Sequence, residues 1–284
     1  MKIKNLFYFL LSMLLMSAPV HATENPYEDL QKLFKEIAEN RNDSIKMQMN
    51  EQLKKKIGKM LREPDSFSQT YNELPNLGKI YSDDGKVRIL TWAFPLEDKT
   101  YQYGGFVQYK TKKKVVTTPL RFRLEPYVPS KIGKISPQNW YGALYYKVFK
   151  VKKRRDVYYV ALGWSGNNAA SDFKVIEPME FSKDGKLSYF GKEVFSSPQP
   201  ENTSRKKSKS LPHRDVLEYS SDGRTALDYD INKKMIIFDH LVPIEPIYTD
   251  IRSYYGPDFT YDAYILEKGE WKFIENIDAR NTEK

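Results

Sequence analysis

Cysteine is missing from all 284 residues, and histidine occurs only three times. A chain without cysteine has no disulfide bond, no cysteine-ligated zinc, no redox motif and no cysteine nucleophile. Beyond residue 22 the histidines are His213 and His240, which are too few for a histidine-rich zinc site. Without disulfide bonds, the fold must be stabilised by its hydrophobic core alone.

Long hydrophobic runs are also scarce. The longest, Leu6 to Met16, is interrupted only by Ser12 and follows Lys2 and Lys4. It is about half the ~20 apolar residues that a membrane-spanning helix needs. Residues 1–22 therefore predict a signal peptide that is cleaved after Ala22. We expect export to the periplasm or the cell surface, and no transmembrane segment after cleavage.

The formal net charge is +9, and the basic excess is concentrated in runs. Most of these runs lie between apolar, strand-like segments, where solvated turns belong. If the runs shared one face, they would bind an anionic polymer. Nucleic acid is not an expected partner of an exported protein. The runs are Lys54-Lys55-Lys56, Lys112-Lys113-Lys114, Lys152-Lys153-Arg154-Arg155 and Arg205-Lys206-Lys207.

Residues 23–65 have the pattern of an N-terminal helical segment. Apolar residues recur at helical spacing from Leu30 to Ala38 and again from Ile45 to Leu61. Asn42-Asp43-Ser44 supplies a cap between the two stretches, and Glu63-Pro64 ends the second. The pattern predicts two short helices, or one helix with a break near Asn42. We expect their apolar faces to pack against a sheet, with binding of a partner as the alternative.

Residues 66–284 have the pattern of a single β-rich domain. Aromatic residues, which favour strands, make up 14% of the chain. Strand-like segments are separated by short turns, which join antiparallel neighbours. We therefore predict a mainly β fold of antiparallel meander sheets, with a small propeller-like arrangement and a β-sandwich or open barrel both left open. The predicted strands are 77–82, 87–94, 101–110, 115–124, 141–151, 157–164, 173–182, 187–195, 214–220, 224–230, 234–240, 260–267 and 271–276.

Several turns have a recognisable chemistry. The dipeptides Asp84-Gly85, Asp184-Gly185, Asp222-Gly223 and Lys268-Gly269 predict tight turns in which glycine supplies a positive φ. Residues 141–195 would form one four-stranded propeller blade. The stretch 196–212 is rich in Ser, Pro, Lys and Arg, and it predicts a mobile surface loop.

No metal or cofactor site can be assigned, and we expect none. Asp228, Asp230, Asn232 and Asp239 fit four positions of a calcium-loop template, but Lys233 replaces its glycine. Strand-like segments flank the motif where helices are required. A hairpin turn through residues 231–234 accounts for the same spacing.

Catalytic residues are equally unassigned. Gly163-Trp164-Ser165-Gly166 does not match the Gly-x-Ser-x-Gly motif of a nucleophile elbow, because Asn167 stands at the position of the last glycine. Asp239 and His240 are neighbours on a strand, so they point to opposite faces and do not pair with each other. A cleft that holds Asp239, His240, Asp258 and Asp262 would favour a hydrolase. Other candidates are Glu275 as an acid and Trp92, Trp140, Trp164 and Trp271 for stacking on sugars, with at least three of the four tryptophans expected in the core.

Three sets of stretches share a recognisable pattern: 81–92 with Gly104-Gly105, 140–146 with 162–167, and 238–243 with 257–262 and 269–271. Together they resemble a pattern in exported, β-rich proteins of unknown function from Gram-negative bacteria. The resemblance covers most of residues 70–280 and implies a bacterial, exported protein. It assigns no functional residue.

These observations favour a non-enzymatic envelope protein that binds a partner protein or a glycan. A hydrolase of glycans or peptides is the first alternative, and a binder of anionic surface polymer is the second.

Overall fold

A computed structural model of the protein describes residues 25–123, 129–153, 156–196 and 211–278. The predicted signal peptide lies outside these residues, as do residues 197–210 of the predicted loop. Two helices come first, α1 (Glu28–Glu39) and α2 (Asp43–Met60). The Asn42 side chain caps α2 by accepting a hydrogen bond from the Ile45 backbone N–H (3.1 Å), as predicted.

Three antiparallel sheets follow, and strands outnumber helices at 45% against 17% of the residues. This confirms the mainly β prediction. Sheet 1 contains β1 (Gly78–Tyr81), β2 (Val87–Pro95), β3 (Tyr101–Lys110) and β4 (Val115–Leu120). Sheet 2 contains β5 (Leu144–Lys153), β6 (Asp156–Gly166), β7 (Ser171–Phe181), β8 (Leu187–Phe190) and β9 (Asp215–Ser220). Sheet 3 contains β10 (Leu227–Asp230), β11 (Met235–Pro243), β12 (Tyr255–Glu267) and β13 (Glu270–Ile274).

Each sheet is a meander of sequential strands, and the sheets stack face to face. Sheet 2 has the four-strand order expected of a blade, and β9 adds a fifth strand by pairing with β7. Strand β6 explains the stacking, because it is buried on both faces. Tyr159 and Ala161 face a core shared with sheet 1, whereas Tyr158, Val160 and Leu162 face a core shared with sheet 3. The layers therefore run helices, sheet 1, sheet 2, sheet 3.

The helices cover the free face of sheet 1. Phe34, Ile37, Leu53 and Ile57 pack on a cluster from β2 and β3 that includes Trp92. Burying one such large apolar side chain stabilises the fold by about 1.5–3 kcal/mol. The apolar faces of the two N-terminal helices therefore pack against a sheet, as predicted.

The glycine turns are confirmed at three of four positions. Gly85, Gly185 and Gly269 have φ of 64°, 91° and 85° and close hairpins within a sheet. At Asp222-Gly223 the predicted turn is present, since the Gly223 N–H donates to the Ser220 carbonyl (3.0 Å), but the predicted positive φ is wrong. The chain turns there, but it passes from β9 in sheet 2 to β10 in sheet 3 and forms no hairpin.

Asp84 ties the β1–β2 turn to sheet 2. Its carboxylate accepts hydrogen bonds from Ser82 Oγ (2.8 Å) and Tyr159 Oη (3.0 Å), and Lys150 Nζ lies 3.0 Å away. Partial burial raises the pKa of Asp84, but these hydrogen bonds outweigh it and hold the pKa below its usual value. The charged form is therefore favoured in the folded protein.

We expect Asp84→Asn to lower the free energy of unfolding by about 1–2 kcal/mol at neutral pH. Because the folded pKa is depressed, this stabilisation is present above the unfolded pKa of about 4 and is lost as the pH falls through the folded value. Urea unfolding at pH 7 and pH 3 measures the loss of stability and its dependence on pH. Asp184→Asn is the matched control, since Asp184 is exposed and accepts from Ser182 within its own turn. Equal losses in the two variants at pH 7 would contradict the tie between sheets.

Candidate ligand-binding groove

Helix α2 is fixed on sheet 1 by polar side chains on its buried face. Asn50 is 1% exposed; its Oδ1 accepts from Trp92 Nε1 (2.8 Å), and its Nδ2 donates to the Tyr103 carbonyl (3.2 Å). Lys46 Nζ donates to the Pro95 carbonyl (2.6 Å). Buried hydrogen bonds of this kind set a single position for the helix. The flank of α2 beyond them is therefore held at a defined distance from strand β4.

A groove of about 1260 Å³ runs between α2 and β4. It exists because the helices pack on β2 and β3 but not on β4. Phe106, Thr117 and Pro119 lie in the groove, and Gly58 lets the helix approach, since a Cβ there would lie 3.3 Å from the Phe106 ring. Arg121–Arg123 and Gln138-Asn139 line the opposite side.

Backbone hydrogen bonds hold this opposite side in place. The Arg121 N–H donates to the Pro137 carbonyl (2.8 Å), and the Trp140 N–H donates to the Arg121 carbonyl (3.0 Å). A short 3₁₀ turn, Pro137–Asn139, lies between these two contacts. The side chains of Arg121 and Asn139 are thus presented from a fixed backbone.

The groove is strongly cationic. Lys54, Lys55, Arg62, Arg121 and Arg123 line it, against the single carboxylate of Glu51. Glu51 is paired with Lys54 at 2.7 Å. Within the described part of the chain, Lys55, Arg62 and Arg121 make no ion pair. Like charges gathered around a concave, partly apolar surface create a positive potential that attracts anions.

Side-chain amides add hydrogen-bonding capacity. Gln48, Gln102, Gln138 and Asn139 also line the groove. The arrangement combines cations, amides and the rings of Phe106 and Phe122. It can bind an anionic ligand, but its lining contains no histidine, serine, cysteine or paired acids.

Two other concavities are smaller. One of about 330 Å³ lies beside the edge of β2, where Trp92 to Pro95 extend beyond β1. Another of about 420 Å³ lies where β1, β5 and β10 meet, and Tyr81, Tyr146 and Tyr229 line it. The first has no charged side chain in its lining, and the second has only Asp83 and Lys147.

The described members of the basic runs belong to three separate elements. Lys54 and Lys55 line the groove, whereas Lys56 Nζ donates to Asp29 (2.7 Å). Lys112–Lys114 occupy the β3–β4 turn, and Lys152-Lys153 end β5. Arg154, Arg155 and the run 205–207 lie outside the described residues. The groove therefore depends mainly on arginines that belong to no run, Arg62, Arg121 and Arg123. An Arg-Phe-Arg sequence directly after a strand was the available signal for two of them.

Three of the four residues singled out for catalysis come together at the β11–β12 pair. His240 Nδ1 lies 2.8 Å from Asp262 Oδ2, and Asp262 is 5% exposed. Hydrogen bonds from Thr260 hold the pKa of Asp258 below its usual value, and the nearby His240 lowers it further. Asp239 instead accepts from the Ala226 N–H (2.7 Å), so Asp239 and His240 do not pair, as predicted.

This cluster lines none of the three concavities above. In the described residues, no three His, Asp or Glu side chains are arranged to hold a metal ion. Glu275 is exposed on the chain after β13.

The remaining sequence candidates have structural roles. Trp92, Trp140 and Trp271 are buried, as predicted for at least three of the four tryptophans. Ser165 lies within β6 and donates to the Gly142 carbonyl (2.7 Å). The calcium-like motif is the β10–β11 hairpin: Asp230 Oδ1 accepts from the N–H groups of Asn232 and Lys233 (2.8 and 3.0 Å).

No model of a known protein family matches the chain, and no curated protein matches its sequence. The resemblance to exported proteins of unknown function stays a prediction. Neither described helix is long and apolar enough to cross a membrane. The groove is accordingly interpreted from its own chemistry.

Proposed function

We propose that this protein is an exported, non-enzymatic binding protein whose groove between α2 and β4 holds an extended anionic ligand. The observation that carries the proposal is the excess of five cations over one carboxylate along a concavity of about 1260 Å³. That volume exceeds the 300–1,000 Å³ typical of sites for small molecules, so a segment of a polymer fits better than a metabolite.

Export is part of the proposal and rests on the signal peptide predicted from residues 1–22. In an envelope, anionic polymers are abundant surface components, and a cationic groove is suited to capture them. The hydrolase alternative has less support, because the His240–Asp262 pair stands away from the concavities described above.

Titration with dextran sulfate, with neutral dextran of equal length as the control, tests the proposal. We expect binding of the sulfated polymer alone. If Lys55, Arg62 and Arg121 each neutralise one anionic group, the slope of log K against log salt is about −2, by analogy with single-stranded polyanions. Affinity then falls about 15-fold between 50 and 200 mM salt. Absence of binding at 50 mM salt, or equal binding of neutral dextran, would overturn the proposal.

A further inference from the structure

Gln102 is a buried amide without a protein partner. It lies on β3, is 6% exposed and lines the groove. Its side chain makes no hydrogen bond to any other described residue. Its amide atoms are not among the fully buried polar atoms that lack a partner, so they reach the solvent of the groove. A ligand in the groove can take the place of water as their hydrogen-bond partner.

A second glutamine on the same strand is enclosed by protein, and its Oε1 accepts no hydrogen bond from a described residue. Gln108 is fully buried, and its Nε2 donates to Ser66 Oγ (3.3 Å) and Thr117 Oγ1 (3.2 Å). Both glutamines face the helix layer, because they are an even number of residues apart on one strand. The protein therefore satisfies the Nε2 group of Gln108 but not its oxygen, whereas the amide of Gln102 faces the groove.

Three further amides surround the same space. Gln48 comes from α2, and Gln138 and Asn139 come from the opposite side. Their side chains also make no hydrogen bond within the described part of the chain. A carboxamide offers two donors and an acceptor, and a hydroxyl group is both donor and acceptor. Amides facing one groove from both sides are suited to a ligand with many hydroxyl groups.

The other lining groups fit a sugar chain bearing carboxylates. Arg62 and Arg121 are suited to bidentate binding of carboxylates. The rings of Phe106 and Phe122 and the ring of Pro119 provide the apolar surface on which the C–H face of a sugar packs. A polymer that offered only charge would leave the amides unused.

We infer that the ligand of this groove is an acidic polysaccharide of the uronate type, with Gln102 as a specificity-determining residue that hydrogen-bonds a sugar hydroxyl. This inference rests on the proposed function and names the chemical class of its ligand. The arginines supply attraction to the carboxylates, and the amides distinguish a sugar chain from other polyanions.

Two probes separate charge from hydroxyl recognition. Oligogalacturonate carries carboxylates and hydroxyl groups, whereas polyacrylate carries carboxylates alone at a higher charge density. We expect Gln102→Leu to weaken binding of oligogalacturonate about 5–10-fold and to change binding of polyacrylate less than about twofold. Gln52→Leu is the control, because Gln52 is exposed on α2 and does not line the groove.

Thermal unfolding provides a readout that does not depend on binding. Because the Gln102 amide makes no hydrogen bond to a described residue, Gln102→Leu should leave the midpoint unchanged or raise it. A clear fall would assign Gln102 to the fold and overturn the inference. Equal effects of Gln102→Leu on both probes, or none on oligogalacturonate, would overturn the inference but leave the proposed function intact. Failure of both probes to bind the unmodified protein would overturn both.

Discussion

Replacing either member of the Arg214–Glu177 pair is expected to cost about 3–5 kcal/mol of unfolding free energy. Both side chains are 0% exposed. Arg214 Nε donates to both Glu177 oxygens (2.9 and 3.2 Å), and its other nitrogens donate to the Ser130 and Phe190 carbonyls (2.6 and 3.2 Å). Tyr141 Oη donates to Glu177 Oε2 (2.5 Å). Removing one charge leaves the other buried and uncompensated.

The two single variants, Glu177→Gln and Arg214→Met, differ in their pH dependence. Burial raises the pKa of Glu177, while Arg214 and Tyr141 lower it, and burial prevails. Without Arg214, which lowers the pKa of Glu177, that pKa rises further in the folded state. The deficit of Arg214→Met should therefore be small below the unfolded pKa of about 4.3 and grow as the pH rises through the raised folded value.

Urea unfolding at pH 4 and pH 7 checks both statements. The double variant Glu177→Leu/Arg214→Met, which removes both charges, should lose less stability than either single variant. A double variant whose loss equals the sum of the single losses would show that the two side chains do not compensate each other.

Charge reversal of two groove arginines is the second large effect. We expect Arg62→Glu/Arg121→Glu to weaken the binding of dextran sulfate about 30–100-fold at 50 mM salt, because two attractions become repulsions. The slope of log K against log salt should flatten by about 1.4, since each lost contact contributes about 0.7. Isothermal titration at several salt concentrations measures both quantities.

The matched control is Lys112→Glu/Lys113→Glu, which changes the net charge equally but acts at the β3–β4 turn. Screening limits its influence on the groove, so we expect a loss of less than about threefold. Similar losses in the two variants would mean that net charge and not the groove governs binding.

The strands were predictable because local sequence patterns mark them. All thirteen predicted strands have a counterpart, because each is a short β-branched or aromatic segment between turn residues. The turn at Asp222-Gly223 closes no hairpin, for a non-local reason. The dipeptide has the chemistry of a hairpin turn, but its flanking strands pair with β7 and β11 instead of with each other.

The groove was not predictable, because its lining comes from separate segments: 47–62, 102–106, 117–123 and 138–139. Only the stacking of α2 on sheet 1 brings Arg62 near Arg121. The basic runs attracted attention because they are contiguous, yet their described lysines are divided among α2, the β3–β4 turn and the end of β5. Similarly, the pairing of His240 with Asp262 depends on the β11–β12 register, which sequence spacing does not reveal.

Hydrogen–deuterium exchange with and without oligogalacturonate tests the central claim most directly. If the ligand occupies the groove, exchange slows in residues 47–62 and 117–123, while residues 255–274 of sheet 3 are unchanged. Slower exchange confined to the turns at 111–114 and 183–186, or to the region around His240, would contradict the assignment of the groove as the binding site.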